Sequence, residues 1–108
     1  MNGLPQRVRV GRSPRHGRGL FARTRLRPGC AIGRFAGRAT LEDGEHVLWW
    51  LDERGREQGL QVTNRLRFLN HSSRPNAEVV GLDLVAIRNI QPGTEILIDY
   101  GPDWAGVE

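Results

Sequence analysis

No stretch of this chain sustains a helical repeat of apolar residues for more than a turn or two, which limits it to a mostly β architecture. Short apolar runs recur instead, closed by glycine, proline or serine. Arg7-Val8-Arg9-Val10 alternates with period two and reads as a first strand. Gly11 to Gly19 is a Gly/Pro/Ser loop, and Leu20-Phe21-Ala22 starts a short apolar strand. After the Pro28-Gly29 turn, Cys30 to Phe35 forms another. Val47 to Leu51 is a five-residue apolar run, either a strand or a short buried helix, followed by a polar loop from Asp52 to Gly59. Leu60 to Thr63 reads as a short edge strand. Ala77 to Val80 and Leu82 to Arg88 form a hairpin turning near Gly81. Pro92-Gly93 then leads into Thr94 to Tyr100, the clearest strand of the sequence.

One segment echoes another. Ala22 to Ile32 (ARTRLRPGCAI) and Ala86 to Ile96 (AIRNIQPGTEI) share Ala, an apolar residue, Pro-Gly and Ile at matching offsets. Both read as strand, apolar-anchored loop, Pro-Gly turn and strand, so two like units bracket the middle of the chain.

A chain of 108 residues fits one domain with a modest core. No apolar run approaches the roughly 18 residues that a membrane span needs, and the N-terminus lacks the apolar core of a secretory signal. One cysteine, Cys30, makes neither a disulfide nor a zinc cluster within the chain. A cytoplasmic or other intracellular location is the expectation. Ten of the sixteen arginines precede Glu42, where no acid occurs, and all twelve acids follow Leu41; there is no lysine. Such an excess can draw nucleic acid or an acidic partner. Here, however, the arginines are interleaved with Val, Leu, Phe and Gly, as on a solvated strand face.

The chemistry concentrates in Arg67-Phe68-Leu69-Asn70-His71-Ser72-Ser73-Arg74-Pro75-Asn76. Ser, Asn and Pro there pin a turn through side-chain bonds and a fixed φ. Asn70 and His71 sit directly behind an apolar pair, and their donors and acceptors are what a buried polar site needs. A well-capped loop remains the plain alternative for this segment alone.

Three segments in order complete a pattern: His16-Gly17-Arg18-Gly19-Leu20-Phe21-Ala22, then Arg67 to Asn76, then Gly93-Thr94-Glu95-Ile96-Leu97-Ile98-Asp99-Tyr100-Gly101. With these spacings the chain, over about residues 6 to 104, resembles the SET domain of protein-lysine methyltransferases. The resemblance implies a β-clip-like fold of small curved sheets with a C-terminal pseudoknot, in a single minimal domain without flanking pre-SET or post-SET modules. It implies S-adenosyl-L-methionine as methyl donor and a lysine-containing protein or peptide as acceptor. Gly17, Arg18 and Gly19 would form the loop holding the methionine end of the cofactor, since glycine lets backbone approach a ligand closely. Asn70 and His71 would contact it around the adenine and the amino group. Tyr100 would be the catalytic residue where methyl meets amine, and the pseudoknot would bring it beside Asn70 and His71. Trp104 would stack on the adenine or close the lysine channel. Trp49 and Trp50 would supply an aromatic channel wall together with Phe68, although core packing of these three is an alternative.

Some features depart from that pattern. Ser73 stands where many relatives have a cysteine, which in some of them joins a zinc site with a Cys-rich tail, so no metal is expected. The segment between Leu51 and Leu66, a substrate-recognition insert in relatives, is short, and Tyr100 is the only tyrosine. A minimal domain with a Trp-rich segment is expected to form a homodimer. Glu95 and Asp99 alternate with Ile96 and Ile98 and read as ordinary strand polars facing away from the apolar layer. The leading reading is a lysine methyltransferase. A SET-like module that binds but no longer catalyses, and an Arg-rich nucleic-acid-binding β protein, are the readings set against it.

Overall fold

The spacing of turns dictates the architecture seen in a computed structural model, which describes residues 3–100. Ten short strands run in chain order: β1 (Val8–Arg12), β2 (Arg18–Ala22), β3 (Ala31–Arg34), β4 (Gly37–Thr40), β5 (Val47–Leu51), β6 (Glu57–Val62), β7 (Asn70–His71), β8 (Ala77–Val80), β9 (Asp83–Ala86) and β10 (Glu95–Ile98). Among the described residues helix is confined to one turn at Leu4–Arg7 and a 3-10 turn at Arg65–Phe68. The strands form three small sheets, ordered β1-β2-β10-β7, β3-β9-β8 and β4-β6-β5.

The two echoing segments lie antiparallel against each other. Leu26 and Ile90 exchange both backbone hydrogen bonds at 2.9 Å. Ala22 N–H donates to Thr94 O (2.9 Å) and Gly93 N–H to Ala22 O (2.8 Å). The equivalents recur at the other end, with Ala86 N–H donating to Cys30 O (2.9 Å) and Gly29 N–H to Ala86 O (2.7 Å). Gly29 and Gly93 even share a left-handed conformation, φ 84° and 86°, which glycine adopts without a Cβ penalty. Each segment thus completes the other. The fully buried Leu26 and Ile90 at its centre join Val8, Leu20, Ile32, Leu66, Leu84 and Ile96 in one core.

Local chemistry explains the hairpins. β8 and β9 pair with Val80 opposite Asp83. Gly81 has φ 60° and Leu82 does not share its positive φ, the pattern of a type II′ turn. β5 and β6 are joined by a loop built on Asp52, whose Oδ1 accepts from Arg54 and Arg56 N–H at 2.9 Å and whose Oδ2 accepts from Gln58. The Arg56 amide above all, then Gln58, holds that carboxyl below its ordinary range.

The structure corrects two element expectations and adds a strand. The polar run Glu57-Gln58-Gly59 is strand, and β6 is the centre of its sheet rather than an edge. Gly59 explains the disguise: a Cβ there would lie 2.7 Å from the Trp49 ring and 2.5 Å from Thr40 O, so the strand admits no side chain at that point. Gly37–Thr40, assigned to no element from sequence alone, is also a strand. Asn70–His71, expected in a loop, pairs parallel with β10, Asn70 beside Leu97 and His71 beside Ile98.

Candidate functional site

The central segment is delivered by its 3-10 turn. Asn64 caps it, accepting from Leu66 N–H at 3.3 Å, and donates its amide to Arg34 O at 2.8 Å. Leu66 and Leu69 are thereby driven into the core while Phe68 stays half-buried. The next residues, Asn70, His71 and Ser72, enter the interior as polar groups, only 8%, 7% and 1% exposed. Buried polar groups must find partners.

Asn70 finds them in the glycine loop. Its Nδ2 lies 3.1 Å from both His16 O and Arg18 O, and 2.9 Å from Glu95 Oε2. Three acceptors around that one atom fix the amide orientation, since an oxygen there would face only oxygens. Glu95 Oε1 in turn accepts from Ser13 Oγ at 2.9 Å. Ser13 Oγ accepts the Arg15 and His16 amides at 3.0 and 3.4 Å, and Ser13 N–H closes the loop onto Gly17 O at 2.8 Å.

The two loop glycines therefore differ. Gly17 has φ +45° and nothing within 4 Å of a would-be Cβ, so its backbone is open to a visitor. Gly19 has no positive φ; a Cβ there would collide with the Glu95 carboxylate. Its bareness serves the protein's own side chain.

Tyr100 closes the site from the end of β10. Its N–H donates to His71 Nδ1 at 3.0 Å, and its ring stands 5.4 Å from the imidazole, tilted by 49°. An Nδ1 that receives an amide hydrogen carries no proton. Asp99 Oδ1 lies 3.8 Å from the same nitrogen. The Tyr100 hydroxyl donates to Leu69 O. Burial first, and the charge of Glu95 second, push the phenol above its ordinary range. The pairing of β7 with β10 is what brings Asn70 and His71 beside Tyr100 across thirty residues of chain.

Two grooves flank Arg18. One, of about 520 Å³, is lined by Arg9, Val10, Arg18, Arg65, Arg67 and Phe68; the other, of about 530 Å³, by Val10, Gly11, Arg12, Gly17 and Arg18. Both fall in the size range of small-molecule sites, roughly 300–1,000 Å³. Phe68 lies here with the Arg67 guanidinium 4.3 Å over its ring, on the glycine-loop side rather than with the tryptophans. Trp49 and Trp50 belong to β5 at the edge of another sheet. The Trp49 indole donates to Asp43 at 3.1 Å and covers Gly59, while Trp50 sits opposite Gln58. Trp104 lies outside the described residues.

Sequence reasoning missed three members. Glu95 does not face away as ordinary strand polarity; it is the hub between Ser13 and Asn70. Ser13, in a Ser-Pro turn, carried a local signal, because serine commonly bonds the amide two residues on. Asn76 uses both ends of its amide on β10, accepting from Leu97 N–H at 2.8 Å and donating to Glu95 O at 2.9 Å.

Comparison with known proteins bears on the family and the fold. The SET domain model matches residues 17–101. Histone-lysine N-methyltransferase MEDEA of Arabidopsis thaliana is 30% identical over 122 residues, covering 93% of this chain, which spans 18% of that relative's length. Among solved structures, a Plasmodium falciparum protein named for histone methyltransfer superposes with a TM-score of 0.71 at 23% identity, covering 92% of this chain and 96% of that one. The methyltransferase domain of human PR domain-containing protein 2 gives 0.70 at 20% identity, covering 94% and 82%. These two likenesses concern the fold of small sheets. Among the described residues no helix is long and apolar enough to cross a membrane. On the family match and the relative of 30% identity, the chain belongs to the SET-domain family.

Proposed function

We propose that this chain is a protein-lysine N-methyltransferase, moving a methyl group from S-adenosyl-L-methionine to the side-chain amine of a lysine in a protein or peptide. The observation that carries the reading is that Asn70 bonds the loop carbonyls of His16 and Arg18 while its chain neighbour His71 holds Tyr100. The cofactor suits these residues. Open space beyond Gly17, grooves of about 520 and 530 Å³ beside it and an aromatic face at Phe68 fit a nucleoside-sized molecule with a polar amino-acid end. Gly17, Arg18, Gly19, Asn70 and His71 would hold it, with Phe68 at the groove wall and Trp104 as a candidate cover.

When bound, the cofactor supplies an electrophilic sulfonium methyl group. The chain supplies alignment and the exclusion of water. The Tyr100 hydroxyl spends its own hydrogen on Leu69 O. Toward a ligand it can therefore only accept, from an amine N–H or, weakly, from a polarised methyl C–H. Its raised pKa keeps it a neutral hydroxyl, so it does not favour an ammonium as a phenolate would. That suits a nucleophile which must shed a proton from an ordinary pKa of about 10.4. Apolar surroundings, to which Trp49 and Trp50 are the candidate contributors, would favour the neutral amine further.

Calorimetric titration with S-adenosylmethionine is the direct test. Micromolar binding that is lost in Asn70→Ala supports the reading, and absence of binding by folded protein refutes it. With binding established, transfer from labelled donor to lysine-containing proteins should fall at least tenfold in Tyr100→Phe, as loss of an orienting group predicts. Unchanged binding with no transfer to any acceptor would identify a binding module instead.

A further inference from the structure

The carboxylate of Glu95 stands in the middle of the loop network although nothing in the proposed transfer chemistry calls for an acid. Its two oxygens are each committed: Oε1 to the Ser13 hydroxyl and Oε2 to the Asn70 amide, both at 2.9 Å. Ser13 Oγ already accepts backbone hydrogens from Arg15 and His16, so its own hydrogen is the one it gives to Glu95. Asn70 Nδ2 carries two hydrogens for three acceptors. The charged, shortest contact takes one of them and the carbonyls of His16 and Arg18, both at 3.1 Å, share the other. Only a group that accepts at both ends satisfies Ser13 and Asn70 together. A glutamine would turn a donor toward one of them.

We propose that Glu95 is a positioning residue that fixes the Asn70 amide with its nitrogen inward, so that Asn70 meets a ligand only as a hydrogen-bond acceptor. This rests on the cofactor reading and deepens it: the site then selects a ligand bearing a donor, the α-ammonium of the methionine end, over one without it. Gly19 belongs to the same device, because its missing Cβ is the space in which the carboxylate lies.

The test compares two ligands by calorimetry, S-adenosylhomocysteine and its analogue lacking the α-amino group. A charge-assisted hydrogen bond predicts that the unaltered protein prefers the amino form by about 10- to 100-fold. Glu95→Gln should lower that preference by at least about threefold, the carbonyls of His16 and Arg18 still facing the amide, while binding of the des-amino analogue changes by less than about threefold. Glu95→Asp, which keeps two accepting oxygens, should restore part of it. Equal weakening of both ligands in Glu95→Gln would mean a merely structural role and would overturn the proposal. Should Glu95→Gln fail to fold, Ser13→Ala decides. It loosens the carboxylate without touching Asn70 and should lower the preference by a smaller factor, and an unchanged preference would count against the proposal. Unaltered protein that binds neither ligand would overturn the cofactor reading and this proposal with it, whereas equal weakening overturns this proposal alone.

Discussion

Replacing each loop glycine by alanine separates two reasons for glycine within one short motif. At Gly19 a Cβ would stand 3.0 Å from the Glu95 carboxyl carbon and 3.1 Å from Ser13 Cβ, nearer still to a carboxylate oxygen. The carboxylate must swing away, giving up its bonds to Ser13 and Asn70. Hydrogen bonds to a charged group are worth about 1.5–3 kcal/mol each. Glu95 is only half-buried, so water recovers part of that, and overpacking of this kind typically costs about 1–3 kcal/mol. We expect Gly19→Ala to destabilise by about 2–4 kcal/mol. Gly17 differs. Its φ of +45° costs an alanine roughly 1–2 kcal/mol, and the lost freedom of the unfolded chain returns about 0.4–1, leaving about 1 kcal/mol. Urea unfolding at unchanged m-value measures both. A double-mutant cycle then isolates the cause: once Glu95→Ala has removed the carboxylate, Gly19→Ala should cost about 1 kcal/mol less or better. Strict additivity, or a Gly17→Ala penalty equal to that of Gly19→Ala, would refute the claim that Gly19 exists to seat Glu95.

The other expectations are simpler. Leu26→Ala, at the centre of the paired echo segments, removes a fully buried side chain and should cost about 2–5 kcal/mol in the same assay; a cost under about 1 kcal/mol would mean that the pairing does not anchor the core. Tyr100 is the only tyrosine, so near-ultraviolet absorbance reports its ionisation directly. With its folded pKa raised by burial and by Glu95, its contribution to stability is complete below the unfolded value of about 10 and is lost as pH rises through the higher folded value. An ordinary titration midpoint in the folded protein would contradict the described packing.

Much of this was legible because turns and apolar alternation are local. Gly81, Pro28-Gly29 and Pro92-Gly93 mark hairpins and segment ends where the structure has them, and the echo between residues 22–32 and 86–96 is a physical pairing. The nearness of Asn70, His71 and Tyr100 followed from a family resemblance. What stayed hidden depends on partners remote in sequence. Glu57-Gln58-Gly59 looks like loop because its strand character comes from β4 and β5 on either side. Phe68 looks like a companion of Trp49 by type, yet the 3-10 turn after Asn64 aims it at the arginine groove. Glu95 looks like surface because alternation says which way a residue points, not what waits there.

The register of β10 explains why Glu95 in particular fills that role. The echo pairing ties Ala22 to Gly93 and Thr94, and this fixes Glu95 opposite Phe21 and Ile96 opposite Leu20. Gly19 is two residues from Phe21 on the same strand face, a diagonal neighbour within reach of a long side chain. The Glu95 side chain therefore crosses a position on that face with no Cβ and meets Ser13 beyond it. A slip of one residue would carry Glu95 to the opposite face and bring Ile96 out of the core. The hydrophobic requirement to bury Ile96 and the polar requirement to seat Glu95 are thus met by a single register. That register is enforced by a pairing of segments at the opposite end of β10 from Tyr100, so the core and the candidate site are specified together.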